Sequence, residues 1–204
     1  MGQSILILGG GPSTKEVDRW KDITTDDIMS VSTAYKNPDI RKTKLTHYAI
    51  SVQTDFTSEE FKEWYSINND CQFIIEQNHL WRQPNGFSSM KFKKDPLSIG
   101  IKQEFSLGIV PRMILWAIAN QYEDIYFTGL DGYAPDGSGG HAFRTDIDKL
   151  DPNATLNTYD IYLTNFLKLY TYLQDVEENS SIRLHNLGKG HPCNILSHIN
   201  FNAF

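Results

Sequence analysis

Ser4-Ile5-Leu6-Ile7-Leu8-Gly9-Gly10-Gly11-Pro12-Ser13 is the stretch whose reading decides the fold. A short, continuous apolar run ending in glycines is the pattern of a central parallel strand covered on both faces. The glycines allow a sharp turn and a close backbone approach. Ser13 or Thr14 then caps an expected helix through Lys15–Trp20, with Glu16 in its first turn. A strand, a glycine turn and a helix start are together the opening of an α/β domain that holds a phosphorylated ligand at the turn. A plain strand-to-helix turn uses the same glycines. Gly9–Ser13 is neither the GxGxxG fingerprint nor a P-loop, because no Gly-Lys-Ser/Thr follows.

Further apolar runs follow the first. Ile28–Ser32, His47–Val52, Gln72–Ile75, Asp124–Thr128 and Ser181–His185 read as strands. Between them, Ser58–Ile67 has helical spacing of Phe61, Trp64 and Tyr65. A second helix runs from Gly108 to about Gln121, with Pro111 in its first turn, where the missing N–H costs nothing. A third carries Tyr159, Tyr162, Leu163, Phe166, Leu167, Tyr170 and Leu173, and Asn194–Ile199 reads as a short terminal helix. Trp81–Glu104 is punctuated by Pro84, Gly86, Pro96 and Gly100, and reads as irregular with at most one poor strand. Alternating strands and helices predict a single Rossmann-like, doubly wound, mostly parallel sheet with helices on both faces, spanning residues 1–204. A polar lid loop is expected at about 131–158.

The 204 residues suffice for one core, and their 40% hydrophobic content is ordinary for a globular chain. A net charge of -6 argues against indiscriminate binding to nucleic acid. Arg82, Lys91, Lys93, Lys94 and Lys102 are either a solvated loop or a patch facing an anionic ligand. Cys71 and Cys193 form no disulfide framework and no zinc pattern. The absence of a leader or a long apolar segment predicts a cytoplasmic setting, with peripheral membrane contact left open.

Gly129-Leu130-Asp131-Gly132-Tyr133 follows a buried strand, which puts Asp131 at the carboxyl end of the sheet, where ligands bind in open α/β folds. Asp131 there either fixes a sugar hydroxyl or caps its own loop, and Tyr133 either reaches a phosphate oxygen or packs over it. His141, inside Gly137-Ser-Gly-Gly-His-Ala-Phe143, is placed to accept a proton from an attacking hydroxyl, although a lone His is more often structural. Ser106-Leu-Gly108 is a second anion site or an ordinary cap before the next helix. Lys189 and His191 either close over the site or serve only loop polarity.

Taken in order, these segments resemble a family. Ile5–Asp18, Ser106–Met113, Asp124–Tyr133, Gly137–Phe143 and Ile182–Leu187 are similar to the corresponding parts of bacterial sialyltransferases that build host-like lipooligosaccharides, and of the related Maf-type flagellin glycosyltransferases. The resemblance implies a CMP-activated nonulosonic acid or another nucleotide sugar as donor, and a glycan or other hydroxyl as acceptor. It implies no tightly bound cofactor and no required metal. Gly9, Gly10, Gly11, Pro12, Ser13, Ser106, Gly129 and Tyr133 would hold phosphate and nucleotide. Ser32 or Thr33, and Gln53 or Asp55, would contact the nucleotide. Asp131 and His141 are the candidate catalytic residues from this chain's own motifs. The chain departs from the pattern at Gly10, where the sialyltransferases carry Asn. It also has His141 where they carry a phosphate-contacting Tyr, and it lacks their later histidine. Either His141 is the base, or the chemistry differs, or the protein binds without turnover. A pyrophosphokinase-like enzyme resembling the archaeal hydroxymethylpterin pyrophosphokinases is the rival. It would need Mg²⁺ on Asp131, Asp136 and Asp146. Self-association is left open.

Overall fold

The computed structural model describes residues 2–77, 83–101, 108–131 and 152–188, with the helical backbone alone for 152–163. Ser4–Leu8 is strand β1, as its apolar run predicts. The other strands are β2 (Asp27–Val31), β3 (His47–Ile50), β4 (Gln72–Glu76), β5 (Leu97–Ile99), β6 (Asp124–Thr128) and β7 (Arg183–Asn186). All seven lie in one parallel sheet of order β5-β4-β3-β2-β1-β6-β7. The winding direction therefore reverses between β1 and β6. The poor strand expected between Trp81 and Glu104 is β5, paired to β4 at the sheet edge.

Each inner strand buries both faces, which is why its sequence is continuously apolar rather than alternating. Ile5 and Ile7 pack with Met29, Val31, Ile125 and Phe127 against helices α3 (Ile109–Ala119) and α4 (Pro152–Asn179). Leu6 and Leu8 face the other way, onto Trp20, Ala34 and Ile40. The far part of that second face is covered by Tyr35 and by Phe61 and Trp64 of helix α2 (Glu59–Asn68). Ser58 starts α2 by accepting the Phe61 amide at 3.2 Å. Asn37 does the same for the short α1 (Pro38–Lys42), accepting from Asp39 at 2.9 Å.

Two expectations need correction. Residues 15–20 form no α-helix; the chain makes 3-10 turns at Pro12–Lys15 and Val17–Arg19. The cause is long-range: the Thr14 carbonyl, needed for helix propagation, instead accepts the Trp20 indole N–H at 3.0 Å and the Asn37 amide at 3.3 Å. The irregular segment expected to reach residue 158 is also shorter, since α4 begins at Pro152. Asp151-Pro152 is a helix-start pattern, and the polar composition that follows reads as loop only if periodicity is sought too late. Residues 132–151 of that segment, and the expected helix at 194–199, lie outside the described residues.

Candidate functional site

The carboxyl ends of β1 and β6 flank the point where the winding reverses, and open α/β folds bind ligands in the crevice there. Gly9 and Gly129 meet across it. The Gly9 amide donates to the Thr128 carbonyl at 2.9 Å, and the Gly11 amide to the Gly129 carbonyl at 3.1 Å. The approach requires glycine on both sides. Gly129 has φ +76°, and a Cβ on it would lie 2.7 Å from the Gly9 carbonyl carbon. A Cβ on Gly11 would lie 2.5 Å from Asp131 Oδ2.

Asp131 turns back into this clasp. Its Oδ2 accepts the Ser13 amide at 2.8 Å, and the residue is 8% exposed. Burial is the largest influence on the carboxyl and raises its pKa above the ordinary range, opposed by the Ser13 hydrogen bonds and assisted by the charge of Glu16. Ser13 is saturated in turn: its hydroxyl accepts the Gly129 amide at 2.9 Å and shares a proton with Thr128 Oγ1 at 3.1 Å. Thr14 Oγ1 donates to the Gly9 carbonyl at 3.0 Å. The glycine turn thus spends its amides on protein acceptors. Gly9, Gly11, Ser13 and Thr14 are all engaged, and Pro12 has no N–H. Gly10 carries the turn's remaining amide.

Two residues that the sequence did not mark as site residues stand beside Asp131: Gly188, and Tyr170, which the sequence puts in a helical aromatic row. Gly188, just past β7, would carry a Cβ 2.8 Å from Ser13 Oγ and 3.0 Å from Asp131 Oδ1, and its amide donates to Asn186 Oδ1 at 2.9 Å. Tyr170 of α4 is buried, and its hydroxyl pKa is raised by that burial and by the charge of Asp131. A glycine shortly after each of β1, β6 and β7 is the signal that could have flagged position 188.

Farther along the same edge, Ser32 and Thr33 follow β2 and are buried. Ser32 adopts φ +54°, a left-handed conformation that costs a non-glycine residue about 1–2 kcal/mol. It is held by its amide on Ala49 O at 2.8 Å, by its hydroxyl on Ser51 Oγ at 2.6 Å, and by Tyr48 and Thr54 hydroxyls on its carbonyl. Strain kept in place by so many partners is a mark of functional edges. Asp55 is used differently. Its carboxylate accepts Thr57 at 2.9 and 2.6 Å and the Asn85 amide at 2.9 Å, a local clamp that lowers its pKa. Glu76, at the end of β4, is buried against Arg112 of α3.

Val110 in the first turn of α3 reaches Gly9, and no side chain caps that helix start at Gly108. Lys93 and Lys94 lie by the amino ends of the strands instead, where Lys93 donates to Asn69 at 2.8 Å. Lys93 and Lys94 are therefore at the opposite edge from Asp131. Ser106, Tyr133, Asp136, His141, Asp146, Lys189, His191, Arg82, Lys102 and Cys193 lie outside the described residues. Among the described residues, no group of three His, Cys, Asp or Glu side chains could hold a metal ion, and no helix is long and apolar enough to cross a membrane.

In comparisons with known proteins, the chain matches no family model and no curated protein.

Proposed function

We propose that the crevice between β1 and β6 binds a nucleotide-activated sugar, CMP-linked in the first instance, and that the protein is a metal-independent cytoplasmic glycosyltransferase. The observation that carries this reading is Asp131, more than nine-tenths buried at the point where the sheet order reverses and oriented by the Ser13 amide. Because a fold hosts many activities, the weight rests on this site and not on the sheet.

In the proposed reaction, an acceptor hydroxyl oxygen bonds to the anomeric carbon as the bond from that carbon to the nucleotide phosphate breaks. The hydroxyl proton passes to His141, and the phosphate leaves with the bonding electron pair. Ser32 and Thr33 are proposed to line the nucleoside. Ser106, Tyr133 and the uncapped start of α3 are proposed to face the departing phosphate, with Gly10 as the turn's one remaining donor. A thermal-shift panel of CMP, UDP, GDP and ATP, each with and without Mg²⁺, tests the ligand class. Consumption of a CMP-sugar only when acceptor is present tests the activity. Full turnover by His141→Ala would remove that histidine from the mechanism, and a Mg²⁺-dependent preference for ATP would favour pyrophosphoryl transfer instead.

A further inference from the structure

The glycine turn was expected to act as a phosphate cradle, and Asp131 to fix a sugar hydroxyl, cap its loop or act in catalysis; their geometry favours one division of labour among these. A phosphate needs free amides, and the turn's own contacts occupy those of Gly9, Gly11, Ser13 and Thr14. It also needs a neutral or positive setting. The Asp131 carboxylate already sits 2.8 Å from the Ser13 amide, with Glu16 adding a second negative charge nearby. Another anion at this spot would be repelled by both.

An ionised carboxylate offers about four lone-pair positions. The Ser13 hydrogen bonds leave part of that capacity open, and a buried carboxylate is best stabilised by further donors. Asp55, past the end of β3, and Glu76, at the end of β4, have protein partners, Asp55 in Thr57 and Asn85, and Glu76 in Arg112. Of these three, Asp131 is the one whose carboxylate lies against the glycines that follow β1 and β7. On its Oδ1 side the backbone of Gly188 packs closely, so that a Cβ there would lie only 3.0 Å from that oxygen and 2.8 Å from Ser13 Oγ. The end of β2, where dinucleotide-binding folds place the acid that holds a ribose hydroxyl, carries Ser32 and Thr33 instead.

We infer that Asp131 is the hydroxyl-reading residue of this site, accepting from the vicinal hydroxyls of a ribose, while the engaged amides of Gly9, Gly11 and Ser13 form a structural clasp that holds the carboxylate in place and leaves phosphate only the Gly10 amide of the turn. The ligand class rests on the nucleotide-sugar reading; the assignment of parts does not. Gly188 is the second positioning residue: a side chain there would press on Ser13 and on Asp131 Oδ1 and displace the carboxylate.

Calorimetric titration of the full chain with cytidine, adenosine, their 2′,3′-dideoxy counterparts and inorganic pyrophosphate tests the inference. At least one ribonucleoside is expected to bind tenfold or more tightly than its dideoxy form. Asp131→Asn should lower that affinity at least tenfold and erase the discrimination, as should Gly188→Ala, which retains the carboxylate and covers the case in which the first variant folds poorly. Equal binding of ribo and dideoxy forms, unchanged discrimination in both variants, or no nucleoside binding at all overturns the inference. So does a tenfold gain of pyrophosphate affinity in Asp131→Asn with cytidine binding intact. Discrimination without any CMP-sugar turnover would instead sink the glycosyltransferase reading alone, and turnover without discrimination would sink only the role of Asp131.

Discussion

Replacing Gly129 by Ala strikes the clasp at its tightest point. The new Cβ would lie 2.4 Å from Thr14 Oγ1, 2.7 Å from the Gly9 carbonyl carbon and 2.9 Å from its Cα. Two of those neighbours are backbone and cannot rotate aside. The φ of +76° adds a left-handed penalty of about 1–2 kcal/mol for a residue with a side chain. Relieving the contact means moving the β1 turn away from β6, which breaks at least the Gly11–Gly129 and Gly129–Ser13 hydrogen bonds at about 1 kcal/mol each. The lower entropy of an unfolded chain with Ala returns about 0.4–1 kcal/mol. A net loss of about 3 kcal/mol follows, out of a total near 5–15 for a typical domain. For a chain of this length that is a fall in Tm of about 6–12 °C. Differential scanning calorimetry, with urea unfolding followed by circular dichroism, measures both quantities. Gly11→Ala attacks from the other side. Its φ of -77° carries no strain, so its cost arises from contacts 2.5 Å from Asp131 Oδ2 and 2.6 Å from the Gly129 carbonyl. Since both variants open the same contact, their effects should be less than additive. A Tm for Gly129→Ala within about 2 °C of the parent would refute the picture of a rigid clasp.

Three further outcomes follow from buried groups. Ser30 is fully buried with its hydroxyl lacking a hydrogen-bond partner among the described residues, so Ser30→Ala should hold or raise stability by about 1 kcal/mol in urea unfolding. His47 packs on Trp116 at 5.3 Å, and burial lowers its pKa below the ordinary 6.5, with Asp27 opposing and Lys94 assisting. The unfolded chain therefore takes up the proton first, so this contribution is present above 6.5 and is lost as pH falls from there through the folded-state value. A titration of stability between pH 8 and 5 should show that fall in the parent and a flatter profile in His47→Gln. Cys71 is buried and its thiol is pushed up to about 12, so in a Cys193→Ser background it should resist an aromatic disulfide reagent at pH 8 until urea is added. Rapid labelling of the folded chain would contradict that burial.

The parallel sheet was legible because each inner strand is buried on both faces. Ile5-Leu6-Ile7-Leu8 and Asp124-Ile-Tyr-Phe-Thr128 carry that demand locally, as unbroken apolar runs between glycines and polar turns. The position of Asp131 was legible for a related reason, since the residues after a buried parallel strand lie at the carboxyl edge of the sheet. The helix start at Ser58 and Pro111 in the first turn of α3 are likewise written in a few adjacent residues.

What depended on distant partners was not. The Trp20 indole and the Asn37 amide, which draw the Thr14 carbonyl out of a helix, act on it from positions 6 and 23 residues away. Asp55 looks like an edge acid in the sequence, but Asn85, 30 residues on, makes it a clamp. The glycine turn at Gly9–Ser13 shows the division most sharply. Its residue types announce a place where backbone must pass close to something. Only packing β6 against β1 decides that this something is Gly129 and the Asp131 carboxylate, 118 residues from Ser13, because amides exposed by a local turn are satisfied by whichever acceptor the tertiary structure delivers first.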